Sequence, residues 1–165
     1  MLKSLTIKNF RCFENLTLES LELVNLIGGG NNVGKTALLE AIFLLTGVSD
    51  IEKPLQLNFL RGIEAKTLDI EDLCQWMFFN KNVAETIEIS AGESGKEFRS
   101  LKMKLVESEA GILPLLPNYL SKGNRLKNLQ IEYQKGDRET AIWRLALVSD
   151  REHSEEVGTA IKMEK

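Results

Sequence analysis

The run Gly29-Gly30-Asn31-Asn32-Val33-Gly34-Lys35-Thr36 constrains this chain more than any other stretch. It fits G-x-x-x-x-G-K-[ST], the P-loop pattern, in which glycines allow backbone N–H groups to close around phosphate oxygens. Leu23-Val24-Asn25-Leu26-Ile27 before it reads as a short buried strand, and Thr36 to Thr46 after it reads as a helix. A strand, a glycine loop and a helix N-terminus in that order form an anion site, with roughly half a positive charge from the helix dipole at the phosphates. The bland alternative is that Gly28-Gly29-Gly30-Asn31-Asn32 is a flexible turn that happens to precede a lysine. The flanking strand and helix favour the functional reading.

Each position has a chemical reason. Gly29 permits the turn out of the strand, and Gly34 lets the backbone approach phosphates where a Cβ would collide. Lys35 places an ammonium at the β- and γ-phosphates, and Thr36 offers a hydroxyl to Mg2+. Ala37, Leu38, Leu39, Ala41, Ile42, Phe43, Leu44 and Leu45 make the following helix apolar almost all round, with Glu40 its only charge. Such a helix is expected to be buried on every face, and Gly47 marks its end. These features predict a binder of nucleoside triphosphates.

The surrounding text narrows this further. Leu5-Thr6-Ile7-Lys8-Asn9-Phe10-Arg11-Cys12-Phe13, then Leu16-Thr17-Leu18, then the run from Asn25 to Ile42 resembles the opening of a RecF/SMC/OLD-class ATPase. Those proteins carry ABC-type ATP-binding heads and are often described as AAA-family ATP-binding proteins. The resemblance covers about the first third of the chain, and the joint pattern is far more specific than the P-loop alone. It implies ATP and Mg2+ as ligands, bound by Gly29, Gly30, Asn31, Asn32, Val33, Gly34, Lys35, Thr36 and Ala37, with Thr36 on the metal. It also implies that Asn31 lies near the γ-phosphate and Arg11 near the phosphate or base side. For Arg11, a solvated residue at a strand end is an equal alternative.

Hydrolysis in such heads requires a Walker B strand ending in Asp-Glu and a serine-and-glycine signature motif from an opposing head. Leu120-Ser121-Lys122-Gly123 and Leu145-Ala146-Leu147-Val148-Ser149-Asp150 resemble these motifs only superficially. The first leads into an alternating strand pattern instead of a helix, and the second lacks an Asp-Glu pair. The implied partners are therefore a second head or a C-terminal half, with DNA possible in a full-length protein. At 165 residues there is room for one cored domain but not for a complete head with its coiled coil. A fragment of a longer reading frame is the expected explanation, and a short natural relative that keeps only the nucleotide-gripping lobe is the alternative.

The expected fold is α+β: a partial ABC-type P-loop head, with a mixed sheet around the buried helix and an antiparallel β subdomain. Residues 1–47 should hold the strands, the P-loop and the first helix. Within them, strands fall at 2–9, 15–20 and 23–27, with a turn near Glu14-Asn15. Residues 48–84 read as irregular or helical, with a short helix from Ile70 to Phe79. Residues 85–149 alternate in strand fashion at Ile87/Ile89, Leu101/Met103/Leu105, Leu129/Ile131/Tyr133 and Trp143/Leu145/Leu147, around a loop at 109–124. Gln134-Lys135-Gly136-Asp137 reads as a hairpin turn, and 150–165 as a polar tail. An ABC-type head also needs a glutamine loop; Gln75, Gln130 and Gln134 are available and none is assigned.

Composition removes other classes. A net charge of −3 gives no basic footprint for nucleic acid, and no run is long and apolar enough for a membrane helix. Cys12 and Cys74 stand far apart, which fits a reduced cytoplasmic setting and no thiolate metal site. His153 is the single histidine, so a Ser/His/Asp triad or histidine-rich metal site is nearly excluded. Asp69, Glu71 and Asp72 read as helix-start charges rather than a nuclease cluster, and Asn80-Lys81-Asn82-Val83 lacks the aspartate that reads guanine. Two alternatives to an ATPase lobe remain: a nucleotide-sensing interaction module, and a small P-loop kinase, which the scattered arginines disfavour.

Overall fold

The computed structural model describes residues 1–46, 52–63, 70–93, 98–107, 127–136, 140–149 and 156–163. The expected loop at 109–124, Asp69 and His153 lie outside the described residues. Strands β1 (Leu2–Phe10) and β2 (Phe13–Leu18) form a hairpin in which Leu5 faces Leu18, Ile7 faces Leu16 and Phe10 faces Phe13. The turn is Arg11-Cys12, three residues earlier than the polar Glu14-Asn15 pair suggested. Arg11 takes the left-handed conformation at φ 55°, which a two-residue hairpin needs, and its N–H is fixed on the Met77 carbonyl at 2.7 Å.

Five further strands extend this hairpin: β3 (Ile87–Glu93), β4 (Phe98–Glu107), β5 (Lys127–Lys135), β6 (Ala141–Ser149) and β7 (Glu156–Met163). They make a single seven-stranded sheet in the order β2-β1-β3-β4-β5-β6-β7. Every pairing is antiparallel. Where a mixed sheet and a separate antiparallel subdomain were expected, β1–β3 pairing joins the two regions into one surface. The alternating residues explain its buried face. Ile87, Met103, Ile131 and Trp143 stand opposite one another in register across four strands, as do Leu105, Leu129 and Leu145 across three. Each such aliphatic side chain taken from water contributes about 1.5–3 kcal/mol.

The expected polar tail is corrected by β7, which pairs with β6 from Ile142↔Met163 to Ser149↔Glu156. Val157, Thr159, Ile161 and Met163 recur at period two, a strand signal that the charged residues before them obscured.

Helix α1 (Lys35–Thr46) buries Ala37, Leu38, Ala41, Leu44 and Leu45 and packs on β1, β3 and β4. Burial on all faces does not hold: Leu39 and Phe43 on its opposite side are exposed. Helix α2 (Lys53–Leu60) starts with Pro54, whose missing N–H costs nothing in a first turn. Helix α3 (Ile70–Cys74) tightens into a 3-10 turn at Gln75–Met77 and stops there, short of Phe79. Phe78 is extended because it bridges to Phe10 of β1, which a helix would prevent.

The segment before the P-loop also departs from expectation. Leu23–Ile27 is not a strand; Leu23, Val24 and Leu26 are 84, 88 and 100 % exposed. A strand requires a ladder partner, and among the described residues no segment pairs with this run. Local bonds compete as well, since the Asn25 amide closes on Glu22, accepting from its N–H at 3.0 Å and donating to its carbonyl at 2.7 Å.

Candidate functional site

The glycine loop reaches α1 without a flanking strand, yet its own geometry is well defined. Lys35 turns back over the loop, its Nζ donating to the carbonyl of Gly29 at 2.9 Å and to that of Gly30. Gly34 has φ 100°, a conformation that penalises any side chain, and a Cβ there would sit 2.8 Å from Cys12 Sγ and 2.8 Å from the Phe13 ring. The β1–β2 turn therefore supports the last glycine of the loop from below. Its carbonyl accepts the Leu38 N–H at 2.9 Å, so the helix begins directly at the loop's end. Gly29 at φ 150° and Asn32 at φ 62° also take positive φ within the loop.

Gly29, Gly30, Asn31, Asn32, Val33 and Thr36 are exposed, Gly34 and Lys35 half-buried, and Ala37 buried in the first helical turn. Glycines open to solvent, the first turn of a helix and one ammonium bring N–H donors and positive charge to this end, which suits a polyanion. Thr36, exposed at this end, carries a hydroxyl, an oxygen of the kind that Mg2+ takes. Among the described residues no group of three or more His, Cys, Asp or Glu side chains can hold a metal ion. An ion carried by phosphates and one hydroxyl fits Mg2+, which keeps several waters and needs few protein ligands.

Arg11 is turned elsewhere than expected. Its Nε donates to Glu40 Oε2 at 3.0 Å, Nη1 to the Trp76 carbonyl at 2.9 Å and Nη2 to Asn58 Oδ1 at 3.3 Å. The side chain is buried against α1 and not presented to the nucleotide by these contacts. Arg61 donates from Nε to the other Glu40 oxygen at 2.6 Å, and buried Asn58 donates to the Leu73 carbonyl at 2.7 Å. Burial pushes the Arg11 guanidinium below its usual value; Glu40 opposes that shift and Arg61 adds to it. Arginine nonetheless keeps its proton, so one carboxylate on α1 gathers two cations. The sequence held a signal for this: a lone glutamate in an apolar helix must find cationic partners when buried. Which arginines answer it depends on contacts 21 and 29 positions away.

The remaining candidates lie away from this cluster. Gln75 bonds to Asp72, Gln134 to the Gly136 carbonyl, and Gln130 to Glu132 and Arg144. Glu71 pairs with Lys127, and both Glu71 and Asp72 occupy the first turn of α3, as its dipole favours.

Residues 1–161 match a family described as AAA ATPase domain. An ATP/GTP phosphatase of Helicobacter pylori is 32% identical over 109 residues, covering 66% of this chain and 29% of that protein. The DNA replication and repair protein RecF of Clostridium acetobutylicum is 28% identical over 156 residues, covering 82% of this chain and 39% of its own. RecF of Lachnoclostridium phytofermentans is 50% identical over 44 residues, 27% of this chain and 12% of that one. The chain belongs to the AAA ATPase domain family, as a P-loop ATP-binding protein of the RecF-like kind. It spans less than half the length of these curated relatives. Among the described residues no helix is long and apolar enough to cross a membrane.

Proposed function

We propose that this chain is the Mg-ATP-gripping lobe of a RecF/SMC/OLD-like ATPase. The observation that carries it is the loop from Gly29 to Thr36, exposed except at half-buried Gly34 and Lys35, seated on the N-terminus of α1 and backed at Gly34 by Cys12 and Phe13. The N–H groups of Gly29 to Gly34 and of Ala37 surround the phosphates. Lys35 leaves the carbonyls it holds and meets the β- and γ-oxygens, with Asn31 beside the γ-phosphate. Thr36 would hold Mg2+, which would supply charge neutralisation to the phosphates. Arg11 acts from beneath, fixing α1 through Glu40 so that the loop is held in place.

Water attack on the γ-phosphate needs a carboxylate to orient it and a second set of donors across the nucleotide. In this reading a C-terminal half or a second head supplies both. Exposed Leu23, Val24 and Leu26 in the segment before the loop, and exposed Leu39 and Phe43 on α1, support such completion, since large apolar side chains left in solvent are available to an interface. They equally favour a second reading, a nucleotide-sensing module whose ATP state controls assembly. Action on DNA belongs to the whole assembly and rests on the RecF relatives' names.

Phosphate release separates these readings. The chain alone should turn over ATP slowly or not at all, and mixing it with the separately produced C-terminal portion of a related head should restore hydrolysis. Robust turnover by the chain alone would refute the lobe. Nucleotide-dependent assembly without turnover would favour the sensing module.

A further inference from the structure

The loop from Gly29 to Thr36 is held by the body of the fold at one end. Ahead of it, the run 23–27 is exposed and pairs with no strand among the described residues. Among those residues a Cβ at Gly28 would meet nothing within 4 Å. At Gly29 and Gly30 it would meet only Val33, a member of the loop itself, at 3.0 and 4.0 Å. Gly34 differs. A Cβ there would lie 2.8 Å from Phe13 Cζ, 3.0 Å from Phe13 Cε1 and 2.8 Å from Cys12 Sγ. Its backbone, at φ 100°, therefore rests on the tip of an aromatic ring and a sulfur.

That ring has little room to retreat. Phe13 opens β2, faces Phe10 across the hairpin and packs on the buried core. Phe10 is fully buried and bridges to Phe78, which is nearly so. The turn that delivers Phe13 is tied down by Arg11, whose N–H and Nη1 donate to the carbonyls of Met77 and Trp76 at 2.7 and 2.9 Å. On the other side, the Gly34 carbonyl accepts the Leu38 N–H at 2.9 Å. Ring, glycine and first turn of α1 thus form one line of contact.

We propose that Phe13 is a positioning residue for triphosphate binding: its ring tip fixes the backbone at Gly34, a support that the unpaired run 23–27 does not give. This rests on the nucleotide reading above and assigns the origin of the loop's preorganisation. Phe13 acts through Gly34 and not on the ligand. Backbone already fixed loses less freedom on binding than backbone the ligand must order, and the difference appears as affinity. Leucine keeps an apolar side chain at position 13 but lacks the two ring atoms that reach Gly34. Methionine is unbranched, adaptable and of similar reach.

Titration calorimetry with Mg-ATP, and NMR-resolved hydrogen exchange of the nucleotide-free chain, test this on Phe13→Leu, Phe13→Met and Leu16→Ala. Leu16 lies on the same strand opposite Ile7, so its truncation controls for a loosened hairpin. Phe13→Leu should weaken Mg-ATP about tenfold, the ordering cost of roughly one residue. It should also speed exchange of the Leu38 amide, which is held on the Gly34 carbonyl. Phe13→Met should recover most of both. Leu16→Ala should lower the urea midpoint and leave ATP affinity unchanged. Wild-type affinity in Phe13→Leu overturns the proposal, and so does an equal loss in Leu16→Ala, which would mark a general softening of the hairpin. Either result beside a wild-type chain that binds Mg-ATP removes the role of Phe13 alone. A wild-type chain that binds no Mg-ATP removes the nucleotide reading, and this role with it.

Discussion

Arg11 Nε meets Glu40 Oε2 at 3.0 Å across 29 positions of sequence, with the two side chains only 8 and 9 % exposed. The pair joins the β1–β2 turn to the second turn of the P-loop helix. Both ends of α1's phosphate-facing turn are thereby referenced to the same three residues: Cys12 and Phe13 at Gly34, and Arg11 at Glu40.

The two arginines on Glu40 should contribute unequally. Arg11→Ala strips a buried carboxylate of its better-shielded partner and should cost about 3 kcal/mol, since breaking a buried pair leaves charge uncompensated. Arg61, whose side chain is 39 % exposed, should cost about 1 kcal/mol or less on replacement by Ala, because solvent screens its pair. Urea unfolding of both variants measures the difference. Equal losses would contradict a clamp centred on Arg11.

Gly34→Ala should fail for two separable reasons. The new Cβ overlaps Cys12 Sγ and the Phe13 ring, and φ 100° is closed to alanine whatever the space. The backbone part alone amounts to about 1–3 kcal/mol. Adding Cys12→Ala relieves one overlap and should restore neither stability nor ATP binding, by urea midpoint and titration. Full recovery in the double variant would show that crowding, not backbone conformation, fixes the residue.

Leu26→Glu should leave the fold alone. The side chain is wholly exposed, so the change in unfolding free energy should stay within about 0.5 kcal/mol, as for surface substitutions generally. The same variant should bind less of a hydrophobic dye and should lose complementation by a C-terminal portion. A destabilisation several times larger would mean that Leu26 packs within this chain.

The residues that were legible from sequence are those governed by local rules. Helix α1 runs Lys35–Thr46 against an expected Thr36–Thr46, because glycine placement and apolar content are local signals. Period-two alternation identified the β3 to β6 regions for the same reason. The strand expected at 23–27 shows the limit: its apolar run is unmistakable, but a strand is a property of two segments, and among the described residues no second one pairs with it. Phe78 ends α3's 3-10 extension through a bridge to Phe10, 68 positions earlier, which no window of sequence contains. At the candidate site, the turn at Gly34 and the helix that starts after it follow from local signals, whereas the Arg11–Glu40–Arg61 cluster needed the fold.

The most direct test of the account titrates Mg-ATP into the wild-type chain and into Lys35→Ala. Lys35 Nζ bonds to the Gly29 and Gly30 carbonyls of its own loop, so removing it should leave the circular dichroism spectrum and urea midpoint unchanged. The account predicts saturable binding to wild type with one nucleotide per chain, and no measurable binding to the variant. Undiminished affinity in a folded Lys35→Ala protein would contradict it.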